Sequence, residues 1–340
     1  MEIKNLGTFK CPVTKGELTL KVVEKQETSS KNEIFISKEG KEYPVYDDIP
    51  DFTIRSEKEE EKREYARELF RQKAKGYDQY QHLSFETFYK DETEVRNSLI
   101  DRLHLKEDSK VLEVNAGTGR DSLLISKRLS KNGLLHVQDI SREMLEVCQE
   151  KLSKVNIPVA IHQSDAIRLP YEENTFDAVY SFGGVGMNTY SNNRDAIAEL
   201  VRVTKVGGRI VFGGLSLGPW LKNTLFGKVL INHNDHYANE INFQDFPIEA
   251  RDLNVKWILE GAGFMIDFTV GEGEPSANLT YEIPGVRGGT HMTRYFGKLE
   301  GVTPETKDLA IKAREKLGVS MHKWLDELIK KEAQNILKDE

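Results

Sequence analysis

The chain has 340 residues, which is long for one compact domain and predicts a large domain with appendages, or two domains. Hydrophobic residues make up 38% of it and charged residues 30%, which predicts a genuine core under a strongly solvated surface. The net charge of −7 offers no attraction for nucleic acid or anionic membranes, and the apolar runs are far shorter than the ~20 residues of a membrane span.

The amino-terminal stretch and the cysteines predict a cellular compartment. The sequence MEIKNLGTFK lacks the apolar core that a signal peptide requires. The two cysteines, Cys11 and Cys148, cannot build a disulfide framework and fit a reducing environment. We therefore predict a cytoplasmic protein whose substrate is small or neutral.

The first 95 residues divide into two predicted parts. Residues 1–54 hold the strand-like pieces LTLKVV, EIFIS and YPVY between turn residues, which predicts a small β module. Residues 55–95 predict a helical linker or lid that begins with a charge run, Arg55–Arg67, typical of a solvated helix.

Residues 96–300 alternate strand-like and helix-like segments, which predicts parallel βαβ units and a doubly wound sheet. The predicted strands are 110–114, 134–138, 158–162, 176–182 and 208–214, with amphipathic stretches at 119–131, 142–154 and 193–205. A helix is expected near 249–260, closed by Gly261 and Gly263. Strands at 264–270 and 291–299 would then form an edge hairpin.

Residues 301–340 predict a helical extension of two helices. Thr303 and Pro304 begin the first, Gly318 ends it, and Ser320 caps the second. The second helix has one apolar face, formed by Met321, Trp324, Leu325, Leu328, Ile329, Ile336 and Leu337. Its sequence superficially resembles the helical half of ribbon-helix-helix DNA-binding proteins, but no strand ribbon precedes it and the chain is acidic. A packing helix or a homodimer contact is the favoured interpretation.

The stretch VLEVNAGTGRD, at 111–121, reads as a buried strand followed by a glycine-rich turn, 115–119. Such a turn, between the first strand and first helix of a doubly wound sheet, is the usual place for a nucleotide-like cofactor. Glu113 would repel a pyrophosphate there but favours the ammonium and sulfonium cations of S-adenosylmethionine. The alternative for Glu113 is a helix-capping or buried paired acid.

Two further acids follow the next two strands. Asp139 lies 20 residues beyond Gly119, about the spacing at which an acid reaches ribose hydroxyls. It could instead cap the next helix, but Ser141 is better placed to do so, which would leave Asp139 free. Asp165, with Ala166, could meet an adenine amino group or could be an ordinary turn residue.

With these residues the chain resembles the class I S-adenosylmethionine-dependent methyltransferases, and most closely those of the ubiquinone and menaquinone biosynthesis type. The matching pieces are VLEVNAGTGR, VQDISREML, SDAIRLPYEENTFDAVYSFGG, ELVRVTKVGGRIVFGG and ILEGAGF. The resemblance covers about 96–300 in the family's order. It implies an α/β, Rossmann-like, doubly wound seven-stranded sheet whose last strand is antiparallel.

The resemblance also implies the cofactor site, with S-adenosylmethionine as the cofactor. Glu113 and the turn Asn115, Ala116, Gly117, Thr118 and Gly119 would hold the methionine part. Asp139 would hold the ribose, Ile140 and Met144 would flank the adenine, and Asp165 with Ala166 would fix its edge. Ser181 and Phe182 would border the sulfonium and the acceptor.

Asn115 departs from the family pattern, which prefers glycine at that position. Asparagine tolerates a left-handed backbone better than other non-glycine residues. Gly117 and Gly119, where the backbone is expected to approach the ligand, are intact. We therefore predict a functional turn.

The amino-terminal module resembles the zinc ribbon that precedes some methyltransferases, including certain rRNA guanine methyltransferases. Of the four ligand positions only Cys11 carries a ligand; Thr14, Ser37 and Gly40 occupy the others. Structural zinc needs about four Cys or His ligands, so no metal is predicted. Packing alone, or docking on the main domain, must then hold the module.

The acceptor side is less defined, because methyl transfer needs orientation and exclusion of water more than a fixed set of catalytic groups. The segment 75–89 supplies Tyr77, Tyr80 and His82, the loop 215–248 supplies His233 and His236, and the insertion 272–291 supplies Tyr281, Arg287 and His291. Each could contact substrate, or be an ordinary packing or loop residue; His104 and His162 are predicted to be structural. The leading prediction is methyl transfer to a small molecule. The alternatives are an RNA methyltransferase and a non-catalytic cofactor-binding or scaffold protein.

Overall fold

The computed structural model describes residues 9–24, 31–54, 74, 76–185, 193–296 and 303–338. The chain forms two compact units, Met1–Glu274 and Pro275–Glu340. The four-part division predicted from the sequence stays a prediction, and the whole charge run Arg55–Arg67 lies outside the described residues. None of the helices within them is long and apolar enough to cross a membrane.

The predicted amino-terminal β module is confirmed. Its strands are β1 (Leu18–Glu24), β2 (Lys31–Ser37), β3 (Glu42–Tyr46) and β4 (Ile49–Pro50), in that order in one antiparallel sheet. The chain then forms a parallel bridge between Asp51 and Gln163, so the module meets the edge of the main sheet.

The main sheet has the predicted seven strands. They are β5 (Lys110–Val114), β6 (Leu134–Asp139), β7 (Val159–Gln163), β8 (Phe176–Phe182), β9 (Thr204–Leu215), β10 (Ala250–Ile258) and β11 (Gly263–Val270). The order is β10-β11-β9-β8-β5-β6-β7. Strands β5 to β9 are mutually parallel, and β11 is antiparallel to both its neighbours, so the predicted antiparallel last strand is confirmed.

Helices connect these strands and cover the sheet. In the first unit they are α1 (Leu83–Glu86), α2 (Glu92–Ile100), α3 (Arg120–Ser126), α4 (Arg142–Leu152), α5 (Asn193–Val203) and α6 (Leu225–His233). The second unit contains α7 (His291–Phe296), α8 (Pro304–Leu317) and α9 (Met321–Ile336). The predicted caps are confirmed: Ser141, Thr303 and Ser320 each accept a backbone N–H of the first turn.

The prediction of a helix near 249–260 was wrong. Residues 250–258 form a strand in which Leu253, Val255 and Trp257 share the more buried face, a period of two that defines strand rather than helix. Gly261, with φ 90°, ends a tight connection to β11 instead of a helix. β10 and β11 form the edge hairpin instead of the predicted strands 264–270 and 291–299. The predicted strand at 291–299 was wrong, because residues 291–296 form a helix. The segment 215–248 is likewise no plain loop, because it contains α6.

The two faces of the sheet have different partners. Leu112 and Val114 point to a core shared with the amino-terminal module and α5. Val111 packs in a second core with residues of α3 and α4, including Ile125 and Cys148, which is buried as predicted. The sheet is thus covered on both sides, and its carboxyl edge is left as the place for a ligand.

Candidate functional site

The chain reverses its direction of strand addition between β5 and β8. After β5 it adds β6 and β7 on one side, then returns to place β8 on the other side of β5. In open α/β sheets ligands bind outside the carboxyl ends of the strands at such a switch point. The turn 115–119 follows β5 here, and Ser181 and Phe182 end β8 beside it.

The backbone of the turn is left-handed at three positions. The φ values are 60° at Asn115, 55° at Gly117 and 79° at Gly119. Asn115 therefore has the left-handed conformation that asparagine tolerates, which explains how it is accommodated where glycine is usual.

The side chain of Asn115 ties the turn to β8. Ser181 Oγ donates to Asn115 Oδ1 at 3.2 Å, while the Asn115 N–H donates to Gln138 Oε1 at 3.1 Å. A Cβ at Gly184 would lie 2.3 Å from Asn115 Cγ, so this close approach requires glycine. Asn115 and Gly184 therefore fit each other as a pair.

The two glycines of the turn have different roles. A Cβ at Gly117 would meet nothing within 4 Å, so the backbone there borders open space that a ligand can enter. A Cβ at Gly119 would lie 2.5 Å from Cys148 Sγ. The missing side chain of Gly119 thus lets the turn pack against α4, and the approach of its backbone to a ligand stays a prediction.

Asp139 is buried and already bonded. Its Oδ2 accepts the Gly117 N–H and its Oδ1 accepts the Ser141 N–H, both at 2.8 Å. Ser141 caps α4 as predicted, so Asp139 is not the helix cap. Burial raises the pKa of Asp139, while these N–H groups act against the rise. The carboxylate links the end of β6 to the turn, and each oxygen keeps a lone pair for a hydroxyl.

The remaining predicted cofactor residues surround the ends of β6 and β7. The Ser164 N–H donates to the Asp139 carbonyl at 3.2 Å, which brings Asp165 next to that strand. Asp165 and Ala166 are buried, Met144 is buried on α4, and Ile140 is half-buried. These residues are two apolar side chains and one acid, together with the backbone of Ala166, and their role toward an adenine stays a prediction.

Glu113 belongs to a buried charge cluster behind the turn. Ser122 Oγ donates to Glu113 Oε2, and the carboxyl group is almost fully buried. Burial and the neighbouring charge of Asp121 raise the pKa of Glu113 well above its ordinary value. The positive charge of Arg96 partly compensates the negative charges of this cluster, since its guanidinium pairs with Asp121 and Glu92.

Phe182, at the end of β8, belongs to an apolar and aromatic environment. The Arg96 guanidinium lies 5.3 Å from the ring centres of both Phe182 and Phe85. Phe182 also contacts a cluster of buried side chains from the segments before α2 and after β9, namely Phe85, Phe88, Leu217, Leu230, Tyr237, Leu259 and Ala262. The environment beyond the end of β8 is therefore apolar and aromatic.

The sequence-predicted acceptor residues of the first unit differ in exposure. Tyr77 is half-buried, whereas Tyr80, His82 and His233 are exposed. His236 is half-buried, with its Nδ1 3.4 Å from Asn239 Nδ2.

Tyr281, Arg287 and His291 lie in the second compact unit and are exposed. The expectation that they come from an insertion between the last two strands was wrong, because β10 and β11 are joined directly. The roles of all these residues stay predictions.

Sequence reasoning missed four residues that shape the site. Gln138 holds the turn through Asn115, and Gly184 accepts the Asn115 side chain. Arg96 supports Phe182, and Asp78 contacts Thr118 of the turn. Only Gln138 left a trace in the sequence, as an amide side chain inside an apolar strand.

Known proteins match the part of the chain that carries this site. A family model described as a methyltransferase domain matches residues 111–208. The demethylmenaquinone methyltransferase of Staphylococcus haemolyticus is 33% identical over 183 residues, which are 50% of this chain and 74% of that protein. The ubiquinone/menaquinone biosynthesis C-methyltransferase UbiE of Neisseria gonorrhoeae is 31% identical, over 45% of this chain and 60% of that protein.

A solved structure is similar at a lower level. The chain matches a Haemonchus contortus phosphoethanolamine N-methyltransferase 2 with S-adenosyl-L-methionine at 13% identity and a TM-score of 0.44, over 56% of each chain. The identity to the Staphylococcus haemolyticus protein and the coverage of its length establish the family. The chain belongs to the class I S-adenosylmethionine-dependent methyltransferases and is an enzyme of that family.

Proposed function

We propose that this enzyme methylates a small, lipophilic acceptor with an aromatic ring, of the quinol class. The observation that carries the proposal is the apolar and aromatic wall beyond β8, formed around Phe182, Phe85 and Phe88. An apolar acceptor gains free energy when it displaces water from such a wall, whereas a nucleic acid needs cations there. The named activities of the demethylmenaquinone and UbiE relatives support the same class.

The cofactor occupies the switch point in this proposal. The turn residues Asn115, Ala116, Gly117, Thr118 and Gly119 and the nearby Glu113 receive its methionine part. Asp139 accepts the ribose hydroxyls, while Ile140, Met144, Asp165 and Ala166 receive the adenine. Ser181 and Phe182 face the reacting centre. Open space over Gly117 and the lone pairs of Asp139 fit these groups.

The chain's own residues then have a limited chemical task. The cofactor supplies a methyl group that is already activated on a sulfonium. The turn and Asp139 fix its position, Phe182 orients the flat face of the acceptor, and the apolar cluster excludes water. A base is required only when the acceptor arrives protonated.

The full chain should be incubated with S-adenosylmethionine and a panel of reduced demethylated naphthoquinones and benzoquinones, with mass spectrometry of the products. We expect one added methyl group and an equal amount of S-adenosylhomocysteine. Bulk tRNA and rRNA serve as the competing acceptors. Methylation of RNA with no methylation of any quinol would refute the proposal.

A further inference from the structure

A short helical segment ahead of α1 lies directly on the glycine-rich turn. We call residues 76–80 the lid segment. Thr118 Oγ1 donates to Asp78 Oδ1 at 2.7 Å, and Arg120 Nη1 lies 3.3 Å from the same oxygen. Thr118 is only 1% exposed, so the lid segment covers this part of the turn.

Asp78 connects three separate elements through one carboxylate. Its Oδ1 contacts the turn and the start of α3, and its Oδ2 forms an ion pair with Lys151 at the end of α4. Arg120 is itself held in place, since its Nε donates to Glu92 Oε1 at 2.8 Å. The lid segment is thus fixed by the two helices that flank the proposed cofactor site.

Tyr77 precedes Asp78 and lies inward of it. It is half-buried, and the charges of Arg96 and Asp139 both act on its phenol. Burial raises the pKa of Tyr77, so its hydroxyl is neutral at physiological pH. Tyr77 is therefore the half-buried aromatic side chain next in sequence to the carboxylate that holds the lid segment on the turn.

We infer that Asp78 is a positioning residue of the cofactor site: it fixes the lid segment to the turn so that Tyr77 covers the bound cofactor. The inference rests on the proposed location of the cofactor at the switch point. Asp78 and Arg120 are partly exposed, and partly exposed ion pairs are weak and screened by salt. The lid segment can therefore open for each exchange of S-adenosylhomocysteine for S-adenosylmethionine.

The test measures binding of S-adenosylhomocysteine to the full chain, with the affinity from calorimetry and the dissociation rate from surface plasmon resonance. The substitution Asp78→Asn keeps the size of the side chain and removes its charge. It should accelerate dissociation about tenfold, as the loss of two ion pairs predicts. Tyr77→Ala should act in the same direction. In the double variant the dissociation rate should rise by less than the product of the two single-variant factors, because Asp78 acts through Tyr77.

Salt provides a readout that a merely structural role would not change. Raising the ionic strength should accelerate dissociation from the wild type but scarcely from the Asp78→Asn variant. Asp101→Asn is the matched control. Asp101 follows α2 and pairs with Arg128, which follows α3, so it does not contact the lid segment. That control should dissociate like the wild type.

Three outcomes separate this inference from the proposed site. Unchanged dissociation in Asp78→Asn, or fully multiplicative effects in the double variant, would overturn the role of Asp78 while leaving the site intact. If the Asp139→Ala variant binds S-adenosylhomocysteine with the same affinity as the wild type, the proposed location of the cofactor is wrong. The inference about Asp78 is then wrong as well. If dissociation is accelerated equally in the Asp101→Asn control, the effect of Asp78→Asn is due to a general loss of negative charge. That result would also overturn the role of Asp78.

Discussion

Asn115 shows how one residue departs from a family pattern without loss of the backbone that the pattern provides. Its φ of 60° is one that asparagine accepts at modest free energy and that β-branched residues resist. Its amide also uses the space that Gly184 leaves open. The turn therefore depends on two positions, 115 and 184, that lie far apart in the sequence.

Substitutions at Asn115 should separate backbone conformation from side-chain contact. Asn115→Gly keeps the left-handed backbone and loses the bond to Ser181, so it should cost about 1 kcal/mol of unfolding free energy with little change in cofactor affinity. Asn115→Val strains the backbone by roughly 1–3 kcal/mol and should weaken binding as well. Calorimetric titration with S-adenosylmethionine measures both. Equal affinities for the two variants would contradict this account.

Asp139 should matter twice, as an acceptor for the ribose and as the link between β6 and the turn. Asp139→Ala should weaken S-adenosylmethionine binding by about 1.5–3 kcal/mol, the range for hydrogen bonds to a charged group. Asp177→Ala is the control, since Asp177 binds the Lys110 N–H and Lys205 away from the site. An Asp139→Ala protein that folds and binds like that control would exclude Asp139 from the site.

At the scale of elements, aromatic packing holds the amino-terminal module on the sheet. The Phe52 N–H donates to the Gln163 carbonyl at 2.8 Å, and the Phe9 and Phe52 ring centres lie 5.3 Å and 6.0 Å from that of His162. Lys10 adds ion pairs to Glu17 and to Glu172 of the main domain. The alternative left open by the missing ligands, docking on the main domain, is confirmed.

The degenerate zinc module should contain no stoichiometric zinc. Cys11 Sγ lies 3.2 Å from the Tyr43 hydroxyl, and a single thiolate is a poor zinc site by itself. Elemental analysis of purified protein should give far less than one zinc per chain, before and after dialysis against zinc. One firmly bound zinc per chain would mean that other groups had replaced the missing ligands.

Docking of the module should contribute strongly to stability. Phe52 is 1% exposed at the junction, so Phe52→Ala should lower the unfolding free energy by about 3–5 kcal/mol. Val22→Ala removes a side chain that is 46% exposed on the same module and should stay within about 0.5 kcal/mol of wild type. Chemical denaturation monitored by circular dichroism measures both. Similar small losses would indicate that the module folds without support from this contact.

At the scale of the whole molecule, the junction buries two histidines, His136 and His162. The Tyr171 hydroxyl lies 2.9 Å from His136 Nδ1 and 3.1 Å from His162 Nδ1. Burial lowers the pKa of His162 from 6.5 to about 3. His162 is structural, as predicted, and it couples docking of the module to pH.

This depressed pKa fixes the sign of a pH effect. Between pH 6.5 and about 3 the unfolded state binds a proton at His162 that the folded state does not. Stability should therefore fall with decreasing pH by about 1.4 kcal/mol per unit from this group. Burial raises the pKa values of Glu113 and Asp139, and these two groups therefore stabilise the folded state as the pH falls. The contribution of His162 is isolated by comparing the wild type with a His162→Gln variant, in which the other two groups are unchanged.

Denaturation midpoints from pH 7 to pH 5 should therefore decline less steeply in His162→Gln than in the wild type. This window precedes the titration of most surface carboxyl groups. Equal slopes would show that the pKa of His162 is not lowered in the folded protein.

Homodimerisation through the apolar face of α9 stays a prediction. None of the described side chains of α9 is buried.

The sequence alone determined the features that depend on local pattern. Alternation of apolar segments identified the parallel sheet, and the glycine-rich turn with Asp139 and Asp165 located the proposed site at its carboxyl edge. The prediction of the sheet is confirmed; the site stays a prediction, made possible because the ends of parallel strands meet at one edge whatever the details of packing. Asn115 was predictable for the same reason, since a left-handed backbone is a local property.

The tertiary structure decided the features that depend on contacts between distant residues. Residues 250–258 became a strand because β11 offered it a partner, and Gly119 is required by Cys148 on another helix. Asp139 is bonded to Gly117, 22 positions earlier, and Asp78 meets Thr118 across 40 positions. No local pattern encodes such pairs, because each residue's role is set by the side chain or backbone that folding brings against it.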